Sequence, residues 1–298
     1  MAAPMHDDEV AIDATIVRRL IDSQMSQLSA MPLEVVEPWG TDNAIWRLGD
    51  DLVVRFPRIH WAASQVDREA KWLPKIAPHL SIDVPEPVAV GEADFGYPFR
   101  WAVHKWIPGN GAALHGVDDP VGFALDIARV IVELRAAPTH DAPRPRTRAR
   151  RLIDYDTETR YAIRKAKHLI DAEAALAIWD EALAAAPYNG PAAWVHGDLE
   201  GNCLLRNRRL CGIVDWGSAC VGDPAVDVQV IWSPLFNEQS RREFLDHLEV
   251  DNATLARSRG AAVNQACAAL PYYLHTYPLI VERSWHKLAA LGVPRAVD

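Results

Sequence analysis

Lysine is scarce in this chain. Of 31 basic residues only six are lysines, and none precedes Lys71. Any cationic role in the residues before it therefore falls to arginine or histidine. No apolar run approaches the ~18 residues that a membrane span needs, so no membrane partner is expected. The opening stretch MAAPMHDDEVAID lacks the basic start and apolar segment of a secretion signal. Cysteine is sparse too: Cys203, Cys211, Cys220 and Cys267, with no C-x-x-C pair. That spacing excludes the common zinc and dithiol motifs and reads as reduced packing thiols in a cytoplasmic protein. Positive charge is in deficit, 31 Lys and Arg against 40 Asp and Glu, a formal net charge of −9. Phosphate backbones call for a basic surface, so no nucleic-acid partner is expected, while a cationic ligand is compatible with this balance.

What is present is a globular chain of 298 residues, 49% hydrophobic and 24% charged, long enough for two lobes with a core each. Residues 13–29 repeat apolar positions at helical period, with Asp13 as a plausible N-cap. Residues 33–37 read as a strand. Ala44–Leu48 and Leu52–Phe56 read as a hairpin around Gly49-Asp50-Asp51. Ser64 is placed to cap a helix running through Glu69 to about Ile76, and residues 98–107 form an apolar strand stopped by Pro108-Gly109. Helical patterns dominate afterwards: one face is marked by Phe123, Ile127, Val130, Ile131 and Leu134, another run spans 155–186, and residues 224–298 are helical again. A short β-region at 193–214 interrupts them. The Pro- and Arg-rich stretch Asp141–Arg151 reads as a solvated surface connection. The order predicts an α+β, two-lobe layout with the boundary near residue 107. Eleven tryptophans are many for this length, and Trp39, Trp46, Trp101, Trp106, Trp194 and Trp216 flank the segments of interest.

The most informative stretch is WVHGDLEGNCLLRNRRLCGIVDWGSACVGDPAVDV, residues 194–228. It gathers His196, Asp198, Asn202, Asp215, Asp223 and Asp227. Two apolar strands, 203–206 and 210–214, meet at an Asn207-Arg208 turn, so Asn202 and Asp215 stand at the two ends of one hairpin. An amide oxygen and a carboxylate in that arrangement suit Mg²⁺, a hard cation that also takes nucleotide phosphates. Asp198, on the preceding loop, is placed to accept a proton from a substrate hydroxyl. Asp223, before a proline, reads as ordinary turn chemistry.

H-G-D-x-x-x-N followed by an apolar hairpin and I-V-D-W resembles the catalytic and metal loops of the kinase superfamily. With the Gly-Asp-Pro-Ala-x-x-Asp behind it, the chain resembles the aminoglycoside phosphotransferase family of small-molecule kinases. Gly40-Thr41-Asp42-Asn43 resembles the phosphate-loop hairpin of that family, Val-Val-Arg-Phe-Pro-Arg its third strand, Arg-Glu-Ala its front helix and Trp101–Gly109 its interlobe hinge. The resemblance implies a protein-kinase-like fold, with a β-rich nucleotide-binding lobe over residues 1–106. A helical lobe over 107–298 would carry the catalytic loop and the acceptor site. It implies Asp198 as catalytic base or hydroxyl-orienting residue and Asn202 and Asp215 as Mg²⁺ ligands. Asn43, Arg55, Glu69, His104 and Trp106 would serve the nucleotide: Arg55 as the phosphate cation with Glu69 as its partner, His104 and Trp106 flanking the hinge backbone that meets the purine. His196 and Asp227 would support the catalytic loop.

Two positions depart from the kinase pattern. Asn202 follows Asp198 by four residues where kinases have five, which removes up to ~3.5 Å of reach; Gly201 is expected to absorb the difference through an unusual backbone conformation. The third-strand cation is Arg55, because no lysine is available there. The activity implied is transfer of the γ-phosphoryl group of ATP or GTP to a hydroxyl of a small molecule. An aminoglycoside-type antibiotic is the first acceptor suggested, with macrolides, choline-like compounds and other metabolites as alternatives. A nucleotide-binding, kinase-like protein with little or no catalysis is the rival from another class. Only seven residues separate Asp215 from Asp223, too few for the long activation segment that a peptide substrate would require.

Overall fold

Side-chain alternation across one antiparallel sheet organises the first part of the chain. The computed structural model describes residues 5–6, 8–37 and 40–296. It divides into two units: the first comprises the residues up to Pro78 with Asp83–Gly109 and Gly212–Gly217, and the second comprises His79–Ile82, Asn110–Cys211 and the chain from Ser218 onward.

In the first unit, helix α1 (Ala14–Gln24) starts at Asp13, whose carboxylate accepts from the Ile16 amide at 2.9 Å. This is the expected cap, worth about 1 kcal/mol. The helix ends sooner than its apolar pattern suggests, giving way to a short 3₁₀ turn at Ser26–Leu28. Strand β1 (Leu33–Val35) is followed by β2 (Asn43–Leu48) and β3 (Leu52–Pro57). Helix α2 (Ala63–Ile76), β4 (Pro87–Gly91) and β5 (Trp101–Lys105) complete the unit. Ser64 lies inside the first turn of α2, and the cap position is Ala62, which makes no side-chain cap bond. The sheet order is β1-β2-β3-β5-β4.

Register sorts the residues of this sheet onto two faces. Ala44 pairs with Phe56, Trp46 with Val54, and Val54 with Val103. With Trp101 these side chains form the buried core under Val17, Leu20 and Ile21 of α1. Phe56 and Trp101 stack at 5.0 Å, and any side chain at Gly91 would run into the Trp101 indole. The pairs Asn43–Pro57, Ile45–Arg55, Arg47–Val53, Arg55–Ala102 and Val53–His104 occupy the opposite face. Opposed residues share a face and the period along a strand is two, so the polar residues Asn43, Arg55 and His104 must lie together on that face.

The second unit is mostly helical. Strand β6 (Asn110–Gly111) and a short α3 (Ala112–His115) lead into α4 (Pro120–Ala136), α5 (Asp156–Ala166) and α6 (Ala172–Ala184). Strands β7 (Trp194–Val195), β8 (Cys203–Arg206), β9 (Arg209–Ile213) and β10 (Cys220–Val221) follow, then α7 (Ala225–Val228), α8 (Glu238–His247), α9 (Asn252–Tyr273) and α10 (Pro278–Ala290). Ile163, Ile178, Trp179, Val263, Leu270 and Leu288 are buried in one cluster built by α5, α6, α9 and α10. The β8–β9 hairpin turns at Asn207 and Arg208, with φ of 53° and 64°. Positive φ at both positions of a two-residue loop makes a type I′ turn, the one whose twist matches the strands. Asp126, buried on α4, accepts from Arg209 Nε at 2.8 Å and from the Leu210 amide at 3.3 Å, which fixes β9 against that helix.

Residues 141–151 depart from expectation. Val221 N donates to Pro143 O at 2.9 Å and Asp223 N to Ala149 O at 3.0 Å, and Ala149 is buried with Val195, Cys220 and Val226. Backbone bonds that a charge-rich composition does not reveal turn this stretch from a solvated connection into a strap. Among the described residues, no helix is long and apolar enough to cross a membrane.

Candidate active site

The polar face of the first unit centres on Arg55. Its Nη1 donates to Glu69 Oε1 at 2.8 Å and Oε2 at 2.7 Å, and its Nη2 donates to Asp215 Oδ1 at 2.9 Å. Arg55 and Glu69 are both buried. Burial opposes the Arg55 charge, but Glu69 and Asp215 outweigh it and raise its pKa. Glu69 Oε1 also accepts the Trp216 amide at 2.7 Å, which ties α2 to the segment carrying Asp215. One guanidinium nitrogen of Arg55 thus faces Glu69 and the other faces Asp215. Asp215 has φ of 61°, in the left-handed region, and its second oxygen, Oδ2, makes no bond among the described residues. Its side chain is one-third exposed, 34%.

His104 turns inward rather than toward the hinge backbone. It is 1% exposed, its Nε2 is 3.8 Å from Glu69 Oε2, and neither ring nitrogen has a hydrogen-bond partner. Burial first, and the Arg55 cation second, lower its pKa to about 3, so the ring is neutral. Beside it, Lys105 N donates to Glu86 O at 2.9 Å and Trp106 N to Asp51 O at 2.7 Å. The Trp106 ring is half-buried with the Arg47 guanidinium 5.2 Å above it. Asn43 is buried at the start of β2, its amide 3.5 Å from Gln65 Oε1 on α2. Trp39 lies outside the described residues.

In the second unit the loop after β7 is built on one carboxylate. Asp227, buried on α7, accepts the His196 amide at 2.9 Å and the Gly197 amide at 2.7 Å. Burial raises its pKa against the opposing pull of His196 and the two amides. His196 is fully buried, and its Nδ1 accepts the Asp198 amide at 3.1 Å, which defines that nitrogen as the unprotonated one. Gly197 adopts φ of 82°. These bonds fix the backbone on which Asp198 stands.

Asp198 is half-buried. Its Oδ1 is 2.6 Å from Arg148 Nη1, which also donates to Gly197 O at 2.9 Å. Burial pushes the Asp198 carboxyl up, but Arg148, helped by His196 and Lys287, holds it below the usual carboxylate range. Among the described residues, Asp198 Oδ2 makes no bond. Arg148 belongs to the stretch that reads from sequence as solvated. Five arginines crowd residues 144–151, and no periodicity distinguishes the one that reaches Asp198.

The shortened loop closes without a strained glycine. Asn202 N donates to Leu199 O at 3.1 Å, an ordinary turn, and Asn202 Nδ2 donates to Asp198 O at 2.7 Å. Gly201 is not among the residues with positive φ, so the expectation that it absorbs the missing residue by an unusual conformation is not met. What the glycine provides is space: a Cβ there would stand 3.4 Å from Arg283 Nη2. That bond commits the Asn202 NH₂. Asn202 and Asp215 each carry a hard oxygen of the kind that Mg²⁺ takes. No group of three or more His, Cys, Asp or Glu able to hold a metal occurs among the described residues. Asp223 is structural, as its turn suggests: Arg257 Nε donates to its Oδ2 at 2.7 Å and Ala225 N to its Oδ1 at 3.0 Å.

Comparison with known proteins gives the same family as these residues. The model described as the phosphotransferase enzyme family matches residues 36–261. The uncharacterized protein YcbJ of Bacillus subtilis (strain 168) is 28% identical over 109 residues, 35% of this chain and 35% of that protein. The alignment thus spans about a third of that relative. Among solved structures, the GDP and kanamycin complex of APH(2")-IIia is 19% identical with a TM-score of 0.73, covering 93% of this chain and 98% of that one. Macrolide 2'-phosphotransferase MphH from Brachybacterium faecium is 20% identical with a TM-score of 0.62, covering 94% and 97%. At these identities the likeness carries the fold, and the α+β, kinase-like class expected from the sequence is the one observed.

Proposed function

The chain belongs to the phosphotransferase enzyme family, and from that premise we propose that it transfers the γ-phosphoryl group of ATP or GTP to a hydroxyl of a small molecule. The observation that carries this reading is the state of Asp198: backbone pinned through Asp227 and His196, one oxygen held by Arg148, the other open.

In the proposed reaction Asp198 Oδ2 accepts the hydroxyl proton of the acceptor as its oxygen bonds to the γ-phosphorus. The bond from that phosphorus to the bridging oxygen breaks, and the nucleoside diphosphate leaves with the electron pair. Phosphoryl transfer asks mainly for positioning and charge stabilisation. Arg55, held in place by Glu69 and Asp215, offers its remaining N–H donors to phosphate oxygens. Asn202 and Asp215 would hold Mg²⁺, which would supply neutralisation of phosphate charge. Asn43 and Trp106 border the nucleotide on the polar sheet face. His104 acts beneath it, as a neutral wall against the Arg55–Glu69 pair. A nucleoside triphosphate co-substrate fits the cytoplasmic location that the sequence suggests.

Aminoglycosides and macrolides name the solved relatives and head the acceptor panel, followed by cellular alcohols. Nucleoside diphosphate release is measured with each compound, ATP and GTP being tried in turn. Acceptor-dependent release by the wild type that disappears in Asp198→Asn supports the proposal. Equal release by both proteins sinks it.

A further inference from the structure

The acidic side chains of the loop 198–202 are already matched by cations of the same unit. Asp198 Oδ1 is paired with Arg148 at 2.6 Å, and Glu200 Oε2 with Lys287 Nζ at 2.6 Å. The second pair is nearly sealed, its side chains 7% exposed for Lys287 and 13% for Glu200. The other Glu200 oxygen is buried too, so solvent and solutes do not reach it. A third cation stands at the loop. Arg283, one helical turn before Lys287 on α10, has no carboxylate within ion-pair distance among the described residues, and its buried Nε has no hydrogen-bond partner. Its guanidinium lies against Gly201, where a Cβ would be 3.4 Å from Nη2 and 3.7 Å from Nη1. The loop therefore carries three cations against two carboxylates, and the surplus charge is a half-buried guanidinium between Glu200 and Asn202.

A guanidinium withdrawn from water without a counterion is costly, and its planar fork matches a carboxylate or a phosphate. A polycation finds the reverse. The one open carboxylate oxygen here, Asp198 Oδ2, is taken up by the reacting hydroxyl, and an ammonium group beside it would meet Arg148, Arg283 and Lys287. We infer that Arg283 binds an anionic group of the acceptor, a carboxylate or a phosphate ester, so that the substrates are negatively charged hydroxyl compounds. This rests on the proposed phosphotransfer at Asp198. The acidic net charge of the whole chain does not bear on it, because the charges that meet an acceptor are local.

Glucosamine, glucose, glucuronate and glucose 6-phosphate share one ring and most of its hydroxyls and differ in charge. Each is titrated calorimetrically into the full chain, with kanamycin as a polycation control, and then assayed for nucleoside diphosphate release. The expected result is that glucuronate or glucose 6-phosphate binds at least about tenfold more tightly than glucosamine, the scale of one charged hydrogen-bonded pair. Arg283→Gln should erase that preference and move the KM for ATP less than about twofold; Arg283→Lys, which keeps the charge and loses the fork, should retain part of it. Thermal unfolding of both variants shows that they are folded. Glucosamine or kanamycin binding as tightly as the anionic sugars overturns the inference, as does no binding of either anionic sugar at about 10 mM. An Arg283→Gln variant that weakens ATP as much as it weakens the sugar also overturns it, since the guanidinium then serves a nucleotide phosphate. Binding is read without turnover, so a charge preference seen with no Asp198-dependent release would fault the phosphotransfer reading alone.

Discussion

The Arg55 network of the first unit and the Asp198 loop of the second use the same chemistry with opposite balance. In the first, one guanidinium serves two carboxylates, Glu69 and Asp215, and the spare oxygen is acidic. In the second, two carboxylates are each matched and the spare group is the Arg283 guanidinium. In the proposed function the leftover charge at Asp215 meets a divalent cation with its phosphates, and in the inference above the leftover charge at Arg283 meets an anion. The pairs also differ in depth. Arg55 and Glu69 are buried and act as structure, whereas Asp198 and Arg148 are about one-third exposed, 37% and 34%, and remain available to a substrate.

The largest effect that would test this contrast comes from the exposed side. Asp198→Ala should lower acceptor-dependent turnover by about 10²–10⁴-fold, with nucleotide affinity nearly unchanged by calorimetry. Unchanged turnover would remove the difference in role between the two networks. Next is the buried side. Arg55→Ala leaves Glu69 as an uncompensated buried charge and should cost roughly 3–5 kcal/mol in thermal or denaturant unfolding, with loss of nucleotide binding. The double variant Arg55→Met, Glu69→Met should recover most of that stability but not the binding. Recovery of both would mean that the pair has no part in the nucleotide site.

Acid should act on the first unit through His104. Its pKa falls from 6.5 to about 3, so the fold keeps neutral a ring that the unfolded chain protonates. The stability this provides is complete above pH 6.5 and is lost as pH falls toward 3. At ~1.4 kcal/mol per pH unit the loss is roughly 3–5 kcal/mol at the acid end. Unfolding of His104→Leu should show a flatter pH dependence across that window; a profile parallel to wild type contradicts a neutral buried ring. The smallest effect is at Arg148. Arg148→Gln should reduce kcat about tenfold, roughly 1.4 kcal/mol. Because the Arg148 cation holds the Asp198 carboxyl low, its removal should move the acid limb of the pH–rate profile to higher pH. A limb that stays in place while kcat falls would assign Arg148 to the strap alone.

Much of this could be read in advance wherever the signal was local. Asp13 caps α1, the strands around Gly49 pair as expected, and the Asn207-Arg208 turn forms the hairpin with Asn202 and Asp215 beyond its ends. The motif around Asp198 pointed to the right family. The misses have a common cause. Ser64 has a capping side chain, but the turn begins earlier, at Ala62. The stretch 141–151 has a solvated composition, yet backbone bonds to Val221 and Asp223 hold it down. The His104 ring lies against Glu69 because strand register puts it on that face, a contact that local sequence does not record.

The amino-acid sequence by itself determined the period-two faces, the turns and the order of chemical groups, since these follow from sterics and side-chain alternation over a few residues. It also kept lysine out of the third strand, because no lysine precedes Lys71. Tertiary structure alone decided which charge meets which: Arg148 with Asp198, Lys287 with Glu200, Arg283 with none. Ion pairs between distant residues form wherever packing brings their side chains together, and nothing in local sequence records that meeting. The scarcity of lysine was therefore visible from the start, but the surplus guanidinium at Gly201 became visible only once the chain was folded.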